Sequence, residues 1–261
     1  MSERRTALIT GASSGFGIEF TRLFGADDWN VVMVARSGDA MQTVAREVEE
    51  RHGVDVDVIT MDLSKPGASA ELVASLLERG VIVDALVNNA GFSTYGEFWR
   101  DDPATQSDML QVNVVALTEL SRLILPGMVE RGRGRILNLG SVGSFGAAPM
   151  TAAYAATKAY VLSLSLAMAD ELQASQVSVT CLCPGPTQTG FQDRAAMQDS
   201  ALIRGRTLPS AREVAEAGYA AMKAGKPYLV TGATSKLFAF GSRFLPRTLS
   251  ARIAGRSQRR I

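Results

Sequence analysis

Apolar residues along this chain fall into short continuous runs that alternate with longer stretches of helical periodicity. Continuous apolar runs are typical of strands buried on both faces, and alternation of strands with helices is typical of a parallel sheet. The pattern predicts an α/β fold, a doubly wound sheet of about seven parallel strands with helices on both faces, in a single domain. The predicted strands are Ala7–Thr10, Val31–Ala35, Asp57–Met61, Ala85–Asn88, Ile136–Leu139, Ser178–Cys183 and Tyr228–Thr231.

Helical periodicity is clearest in two long segments, Ala104–Arg131 and Ala152–Ala174. A further helix is predicted to begin at Ser210, because Glu213 follows it at the spacing of a capping box. We expect these helices to cover the two faces of the sheet.

A glycine-rich segment separates the first predicted strand from a predicted helix at Ile18–Phe24. Glycines let the backbone turn tightly and approach a ligand, and the free N–H groups at a helix start favour a phosphate. The spacing differs from the commoner Gly-x-Gly-x-x-Gly dinucleotide fingerprint, and a tight connection without a ligand is the alternative. The candidate pyrophosphate-binding residues are Gly11, Ser13, Ser14, Gly15, Phe16 and Gly17.

Tyr154 lies 13 residues after Ser141 and four residues before Lys158, in a predicted helix. Residues four apart share a helix face, so the phenol and the ammonium group can converge. A free phenol has a pKa of about 10, and a nearby cation favours its ionised form. A surface tyrosine beside a solvated lysine is the alternative for the pair alone. Together with the glycine turn, the pair predicts acid–base chemistry beside a bound nucleotide.

Composition narrows the class of protein. With 261 residues, of which 46% are hydrophobic, the chain can bury the core of one large α/β domain. A formal net charge of +1 gives no general argument for nucleic-acid binding. Cys181 and Cys183 are predicted to be buried thiols in a reducing compartment, and together with His52 they do not make a convincing zinc site. The sequence starts without an apolar signal core, so we expect a cytoplasmic protein.

Ordered motifs from Arg5 to about Gly232 resemble those of the short-chain dehydrogenase/reductase family in residue type, order and spacing. The resemblance implies a Rossmann-type fold with strand order 3-2-1-4-5-6-7 and a nicotinamide dinucleotide as cofactor. Besides the glycine turn, the motifs are Asp62-Leu63, Asn88-Asn89-Ala90-Gly91, Asn113, Ser141, Tyr154, Lys158 and Pro184-Gly185-Pro186-Thr187-Gln188-Thr189.

The same resemblance implies the contacts of the cofactor. Asp62 and Leu63 would flank the adenine ring, and Asn88, Ala90 and Gly91 would lie on the side of the adenosine ribose. The contacts near the nicotinamide and the pyrophosphate would be Tyr154, Lys158, Pro184, Gly185, Thr187 and Thr189.

The end of the second predicted strand indicates which dinucleotide binds. A free ribose is usually held by an acidic residue about 20 residues beyond the glycines, whereas a 2′-phosphate needs a cation. Ala35 and Arg36 occupy this place, and the nearby Asp39 lies in the next turn. A guanidinium can bind phosphate through two charge-assisted hydrogen bonds, although a solvated arginine is the alternative. We therefore predict NADP(H) in preference to NAD(H).

The resemblance also implies the roles at the reacting carbon. Hydride transfer to a carbonyl builds negative charge on the oxygen, which must be hydrogen-bonded and then protonated. Tyr154 would donate the proton, and Ser141 would hydrogen-bond the same oxygen. Lys158 would bind the nicotinamide ribose and keep the tyrosine pKa low, while Asn113 would hold a water molecule between Lys158 and solvent. Taken singly, Ser141 could be a turn hydroxyl and Asn113 a polar residue inside a helix.

The substrate is less well specified. The segment 191–208 resembles a lid, and its arginines could receive an anionic head group or face solvent. The predicted substrate contacts are Phe92, Ser141, Phe145, Tyr154 and Phe191.

We therefore predict an NADP(H)-dependent oxidoreductase that reduces an aldehyde, ketone, 3-oxoacyl or steroid-like carbonyl to an alcohol. The same residues would also catalyse alcohol oxidation, which is the alternative among enzymes. An NADP-sensing protein without turnover is the alternative of a different class. Sensors of that kind usually lose the tyrosine or the lysine, and this chain has both.

Residues 236–261 form a basic extension after the catalytic domain, residues 1–235. The extension has seven Lys or Arg and no acid, whereas residues 1–235 have a net charge of −6. Leu237, Phe240 and Phe244 recur in it at helical spacing. It could lie on an anionic membrane surface, or pack on the pocket or on a second subunit, and we favour packing. The two long helices resemble those of the family's two-fold interface, so we expect a homodimer or homotetramer that acts on a small molecule.

Overall fold

The computed structural model describes residues 4–191 and 207–258. Within these ranges the chain forms a seven-stranded parallel sheet of order β3-β2-β1-β4-β5-β6-β7. The predicted doubly wound α/β class and the strand order are confirmed. The strands are β1 (Thr6–Thr10), β2 (Asn30–Ala35), β3 (Val56–Thr60), β4 (Val83–Asn88), β5 (Gly134–Leu139), β6 (Val177–Cys183) and β7 (Tyr228–Val230).

Most strands begin one or two residues before the bounds predicted from the apolar runs. Thr6 and Asn30 are polar, yet they are in register at the start of β1 and β2. Backbone pairing does not depend on side-chain polarity, so the hydrogen-bonded ladder continues beyond each apolar run.

The predicted helix Ala104–Arg131 is continuous, but its middle part, Gln111–Ala116, is a π-helix. The predicted helix Ala152–Ala174 ends earlier, because both the N–H and the hydroxyl of Ser175 donate to the Leu172 carbonyl at 2.8 Å and turn the chain. The described α-helices are α1 (Phe16–Ala26), α2 (Gly38–His52), α3 (Ala68–Glu78), α4 (Pro103–Leu110), α5 (Leu117–Glu130), α6 (Ala152–Glu171), α7 (Ala211–Lys223), α8 (Ala233–Gly241) and α9 (Arg247–Gln258).

Two apolar cores lie on opposite faces of the sheet, because successive strand residues point to opposite sides. Ala7 and Ile9 of β1 face the core formed with α1, α2 and α7, in which Phe24 is fully buried. Leu8 faces the core formed with α3, α5 and α6, in which Met128 is fully buried. With both faces covered, the strand ends are the part of the sheet that remains available to a ligand.

The helices after β7 pack against the segment that follows β5. A Cβ added at Gly146 would lie 3.1 Å from Ser250 Oγ and 3.4 Å from the Phe238 ring, and one at Gly255 would lie 3.1 Å from Pro149. The inner side of the extension is therefore part of the folded domain.

The continuous helix Pro103–Glu130 has 28 residues and is long and apolar enough to cross a membrane. It packs against α3 and the sheet, and 39% of its most apolar window is buried. A core helix of a globular domain meets the same criteria, so this helix alone does not argue for a membrane span.

Candidate active site

A cleft of about 360 Å³ opens along the carboxyl ends of the strands, where ligands bind in open α/β sheets. Its walls come from the loops after β1 to β6, so it gathers residues that are far apart in the sequence. The predicted site residues that line it are Gly11, Ser13, Ser14, Gly15, Phe16, Arg36, Asp62, Leu63, Ala90, Gly91, Phe92, Ser141, Tyr154, Lys158, Pro184, Gly185, Thr187, Thr189 and Phe191.

The glycine turn has the shape expected of a phosphate cradle. Gly11 and Gly15 have φ values of 64° and 54°, which residues with side chains rarely adopt. Gly17 does not line the cleft but packs on the turn from below, since a Cβ there would lie 2.3 Å from the Gly11 carbonyl oxygen. Helix α1 begins at Phe16, so the free N–H groups of its first turn adjoin the cleft. The backbone therefore fits the pyrophosphate of a dinucleotide.

Thr10 and Asn89 fasten this turn to the end of β4, and the sequence motifs did not single them out. Thr10 Oγ1 accepts hydrogen bonds from the N–H groups of Asn89 at 3.1 Å and Ala90 at 3.0 Å. Asn89 Nδ2 donates to the carbonyls of Thr10 at 2.8 Å and Gly11 at 3.0 Å. The Asn-Asn-Ala-Gly motif was the available signal, but the motif does not tell which asparagine reaches back.

Asn88 does not reach the cleft, contrary to the predicted contact with the ribose. It is 3% exposed, and its Nδ2 donates to Ser121 Oγ at 3.0 Å and to Asn138 Oδ1 at 2.9 Å. Successive residues of an extended chain point to opposite sides, so Asn89 lines the cleft instead.

We expect Gly17→Ala to weaken dinucleotide binding by about tenfold or more. The added methyl group would collide with the Gly11 backbone, and overpacking of this kind costs about 1–3 kcal/mol. Fluorescence titration with NADPH measures the effect. Gly241→Ala is the matched control, because no described atom lies within 4 Å of a Cβ there. Equal affinity in the two variants would contradict the assigned role of the turn.

Arg36 follows β2 and lines the cleft together with Asp62. Burial raises the pKa of the Asp62 carboxyl, but the Ser64 N–H, 3.0 Å from Oδ1, and the Arg36 charge outweigh burial and hold this pKa below its usual value. Asp39, the alternative acid, lies in the first turn of α2 and is not among the described residues that line the cleft. The end of β2 therefore presents a cation to the cleft.

Ser141, Tyr154 and Lys158 meet in the cleft beyond the end of β5. Ser141 and Tyr154 both line it, and the side chain of Ser141 acts to lower the pKa of Tyr154. Lys158 follows one turn after Tyr154 on α6, is 5% exposed, and has its Nζ 5.7 Å from the centre of the Tyr154 ring. This Nζ donates to the Leu139 carbonyl at 2.7 Å. The structure thus brings the predicted catalytic serine, tyrosine and lysine together.

Ser144 positions this group and was not predicted. Its Oγ accepts from the Ser141 N–H at 3.2 Å and donates to the Lys158 carbonyl at 2.7 Å. Ser141 Oγ in turn accepts from the Gly143 N–H at 3.1 Å. These bonds tie the loop after β5 to α6, so the catalytic side chains are held by both.

The tyrosine does not have the low pKa expected from the sequence. Burial raises the pKa of Tyr154 to about 12, and the hydrogen bond with Ser141 opposes this only in part. Burial also lowers the pKa of Lys158 to about 8. Burial dominates the tyrosine pKa and Lys158 is not among the groups that lower it, so the expected lowering by Lys158 is wrong for this arrangement. Tyr154 keeps its proton at neutral pH.

Asn113 lies behind the cleft wall, in the π-helical segment, and is 1% exposed. Its Oδ1 accepts from the Phe92 N–H at 3.1 Å, while its Nδ2 donates to the Phe92 carbonyl at 3.0 Å and to Thr157 Oγ1 at 3.2 Å. A Cβ at Gly91 would lie 3.0 Å from Asn113 Oδ1 and 3.5 Å from Lys158 Nζ, so these groups adjoin. Single π-turns in longer helices are often found at functional sites.

Two segments of the cleft wall are uncharged. Segments 142–151 and 184–191 both border the cleft and contain no charged residue. The Phe191 ring lies 5.5 Å from the Tyr154 ring, centre to centre. Phe145 does not join this wall and packs instead against the buried cluster around Val161. Most of the predicted lid, 191–208, and its three arginines lie outside the described residues.

Cys181 and Cys183 are buried free thiols, as predicted, with their sulfur atoms 3.7 Å apart. A Cβ at Gly140 would lie 2.8 Å and 2.9 Å from these sulfur atoms. The glycine before Ser141 therefore leaves room for both thiols beneath the catalytic loop.

A parallel sheet of this order, a glycine turn after its first strand and a Ser–Tyr–Lys group in the same cleft define a dinucleotide-dependent oxidoreductase. Residues 5–199 match the family described as short chain dehydrogenase. The chain belongs to this family and is an oxidoreductase.

Two curated relatives show the extent of the similarity. The chain is 35% identical over 175 residues to a very-long-chain 3-oxoacyl-CoA reductase of Laccaria bicolor, a match that covers 66% of this chain and 52% of that protein. It is 33% identical over 188 residues to the ketoacyl reductase HetN of a Nostoc species, covering 72% of this chain and 65% of that protein. The chain thus spans about half to two thirds of the length of these relatives.

A solved structure is similar over nearly the whole chain. It is a short-chain dehydrogenase from Sphingobium yanoikuyae in complex with NADPH, and it superposes with a TM-score of 0.82 at 29% identity. The match covers 92% of this chain and 94% of that one.

Proposed function

We propose that this enzyme is an NADPH-dependent reductase that converts the carbonyl of an aldehyde, ketone, 3-oxoacyl or steroid-like substrate to an alcohol. The observation that carries the proposal is the convergence of Ser141, Tyr154 and Lys158 in the same cleft as the glycine turn. Carbonyl reduction requires such an acid next to the hydride donor.

A bound nicotinamide would supply the hydride. As charge develops on the substrate oxygen, the hydroxyls of Ser141 and Tyr154 would donate hydrogen bonds to it. An alkoxide is a far stronger base than a phenolate, so the proton would pass from Tyr154 to the substrate. Lys158 would hold the nicotinamide ribose, and Asn113 would hold the water that reaches Lys158 from solvent.

At neutral pH Tyr154 is in the protonated form that reduction requires. With a pKa of about 12, Tyr154 is almost entirely protonated and is ready to donate. Oxidation of an alcohol would need the phenolate, which is scarce at neutral pH. The preference for NADPH over NADH rests on Arg36, which lines the cleft after β2, where no acidic residue stands at the strand end. The NADPH bound in the similar Sphingobium structure supports this preference.

An apolar substrate fits the two uncharged wall segments, 142–151 and 184–191. Two relatives are a 3-oxoacyl-CoA reductase and a ketoacyl reductase, which supports a 3-oxoacyl compound within that class. NADPH oxidation followed across aldehydes, ketones and acyl thioesters of increasing chain length tests the proposal. We expect kcat/KM to rise with chain length. Absence of NADPH oxidation with every carbonyl would contradict it.

Self-association is also part of the proposal. Helices α5 and α6 expose the apolar side chains of Leu123 at 45% and Leu166 at 38%, and symmetric pairing through one repeated face is the commonest assembly. We expect sedimentation to give a dimer or tetramer and Leu123→Glu to give mainly monomer, since burying an unpaired carboxylate is costly. Leu77→Glu, at a 71% exposed site on α3, is the control. A monomeric wild type would contradict the prediction.

A further inference from the structure

The C-terminal extension exposes large apolar side chains that the fold leaves uncovered. Leu237, Phe240 and Phe244 are 71%, 60% and 74% exposed, and the two phenylalanine rings lie 5.2 Å apart. Such side chains in one contiguous segment mark an interaction site more often than an ordinary surface. The tail surface is defined here as the exposed residues Lys236, Leu237, Phe240, Arg243, Phe244, Leu245, Leu249, Arg252, Ile253 and Arg256.

The inner side of the same helices is already occupied, so the tail surface has a fixed orientation. Ala239 and Ala254 are 6% and 7% exposed, and Phe238 and Ser250 adjoin Gly146 of the loop after β5. The packing favoured from the sequence thus applies to this inner side. On the outer side, Leu249, Arg252, Ile253 and Arg256 follow at intervals of three and four and share one face of α9.

The charge of the tail surface indicates its partner. Four cations of this surface are exposed, and the extension from residue 236 onward has no acid. The rest of the chain has a net charge of −6, so the positive charge is concentrated here. Cations interleaved with phenylalanine and leucine are typical of segments that lie in the headgroup region of an anionic bilayer. A symmetric contact between two copies of this surface would instead bring cations together.

We propose that the tail surface docks on an anionic lipid bilayer, with the phenylalanine and leucine side chains in the headgroup layer and the arginines on lipid phosphates. Anionic lipids face the cytoplasm, so this matches a cytoplasmic enzyme that binds a membrane peripherally. Docking itself does not depend on catalysis.

The tail surface lies close to the cleft, which links docking to substrate access. This link rests on the proposed function. Its inner side touches Gly146 and Pro149, and the neighbouring Ala148 and Thr151 line the cleft. The loop on which the extension packs is therefore also a wall of the uncharged part of the cleft. A lipophilic carbonyl dissolved in the bilayer would be presented beside the wall that faces Tyr154.

Vesicle sedimentation of the full chain tests docking. We expect binding to vesicles of phosphatidylglycerol and phosphatidylcholine, loss of binding at high salt, and none to phosphatidylcholine alone. Arg243→Gln with Arg252→Gln should weaken partition roughly fivefold per cation removed. Phe240→Ser with Phe244→Ser should weaken it at least tenfold per ring, because each ring leaves the lipid.

Matched controls test whether vesicle binding depends on the tail surface itself or on any exposed apolar side chain or arginine. Leu77→Ser removes an equally exposed apolar side chain, and Arg46→Gln removes an exposed arginine of α2, so both should bind vesicles like the wild type. Circular dichroism and NADPH titration confirm that each variant folds. No binding by the wild type, or equal binding to both lipid compositions, would overturn the proposal. Tail variants that change the oligomeric state in the absence of vesicles would assign the surface to a second copy and also overturn it.

Rates of carbonyl reduction distinguish a failure of the docking proposal from a failure of the proposed function. Tail variants should reduce a water-soluble ketone at the wild-type rate. With a long-chain carbonyl carried in vesicles, their rate should fall by about the same factor as their affinity for the vesicles. Vesicle binding without any carbonyl reduction would leave docking standing and contradict only the proposed reaction. Equal rates on the vesicle-borne substrate would overturn the link between docking and the cleft.

Discussion

Replacement of Tyr154 by phenylalanine should lower kcat by about 10²–10⁴-fold, the usual contribution of a positioned general acid. The ring keeps its contact with Phe191, whose centre lies 5.5 Å away, so the shape of the cleft should be preserved. The hydroxyl that Ser141 contacts is lost, and the substrate oxygen then has no protein acid to protonate it. Affinity for NADPH should change little, because the glycine turn and Arg36 are untouched.

Steady-state rates of NADPH oxidation together with NADPH titration check this result. Tyr160→Phe is the matched control, since Tyr160 lies on the same helix and is 40% exposed. In the described part of the chain its hydroxyl is hydrogen-bonded to Thr118 Oγ1, at 3.0 Å. It should retain the wild-type rate. Near wild-type turnover in Tyr154→Phe would remove the tyrosine from the mechanism.

The sheet could be predicted from the sequence because both of its faces are buried. Each strand core is then a continuous apolar run, as in β4, where all residues from Val83 to Asn88 are buried. Strand ends could not be placed, since Thr6 and Asn30 pair through their backbones in spite of polar side chains. The strand order required the resemblance to a family, because a run of apolar residues does not identify its neighbour in the sheet.

The site was predictable in its residues and less so in its contacts. Ser141, Tyr154 and Lys158 were identified by spacing together with the resemblance to a family, and the structure brings them together. Asn88 was misplaced because the direction of a side chain at a strand end depends on where the strand stops. The pKa of Tyr154 was misjudged because sequence spacing does not show how deeply the phenol is buried, and burial raises this pKa.

The structure of the C-terminal extension could also be predicted only in part from the sequence. The spacing of Leu237, Phe240 and Phe244 predicted a helix that includes all three, but the helix ends at Gly241 and Phe244 lies in the turn that follows. Periodicity alone also cannot tell whether such side chains are covered. Ala239, between them in sequence, packs on the domain, and the neighbouring Phe238 ring adjoins Gly146. One phenylalanine of the segment therefore faces the protein while two face outward, a difference that hydrophobicity alone does not predict.

The double substitution Ala35→Asp with Arg36→Leu should shift the preference between NADPH and NADH by about 10²–10³-fold. Hydrogen bonds to charged groups contribute about 1.5–3 kcal/mol, so loss of the guanidinium alone should weaken NADPH at least tenfold. The new carboxylate would repel a 2′-phosphate and could accept hydrogen bonds from a free ribose. Asp62, already ionised beside Arg36, would add to the repulsion once the arginine is removed.

The ratio of kcat/KM for the two cofactors measures this shift and distinguishes a phosphate site from general surface charge. Arg46→Leu removes an exposed arginine of α2 that does not line the described part of the cleft, and it should leave the ratio unchanged. The double variant should keep its kcat with NADH, because the groups around Tyr154 lie in the loops after β5 and β6 rather than at the end of β2. A wild type that already prefers NADH would show that Arg36 is only a solvated arginine, whereas an unchanged ratio in the double variant would place the determinant outside the end of β2.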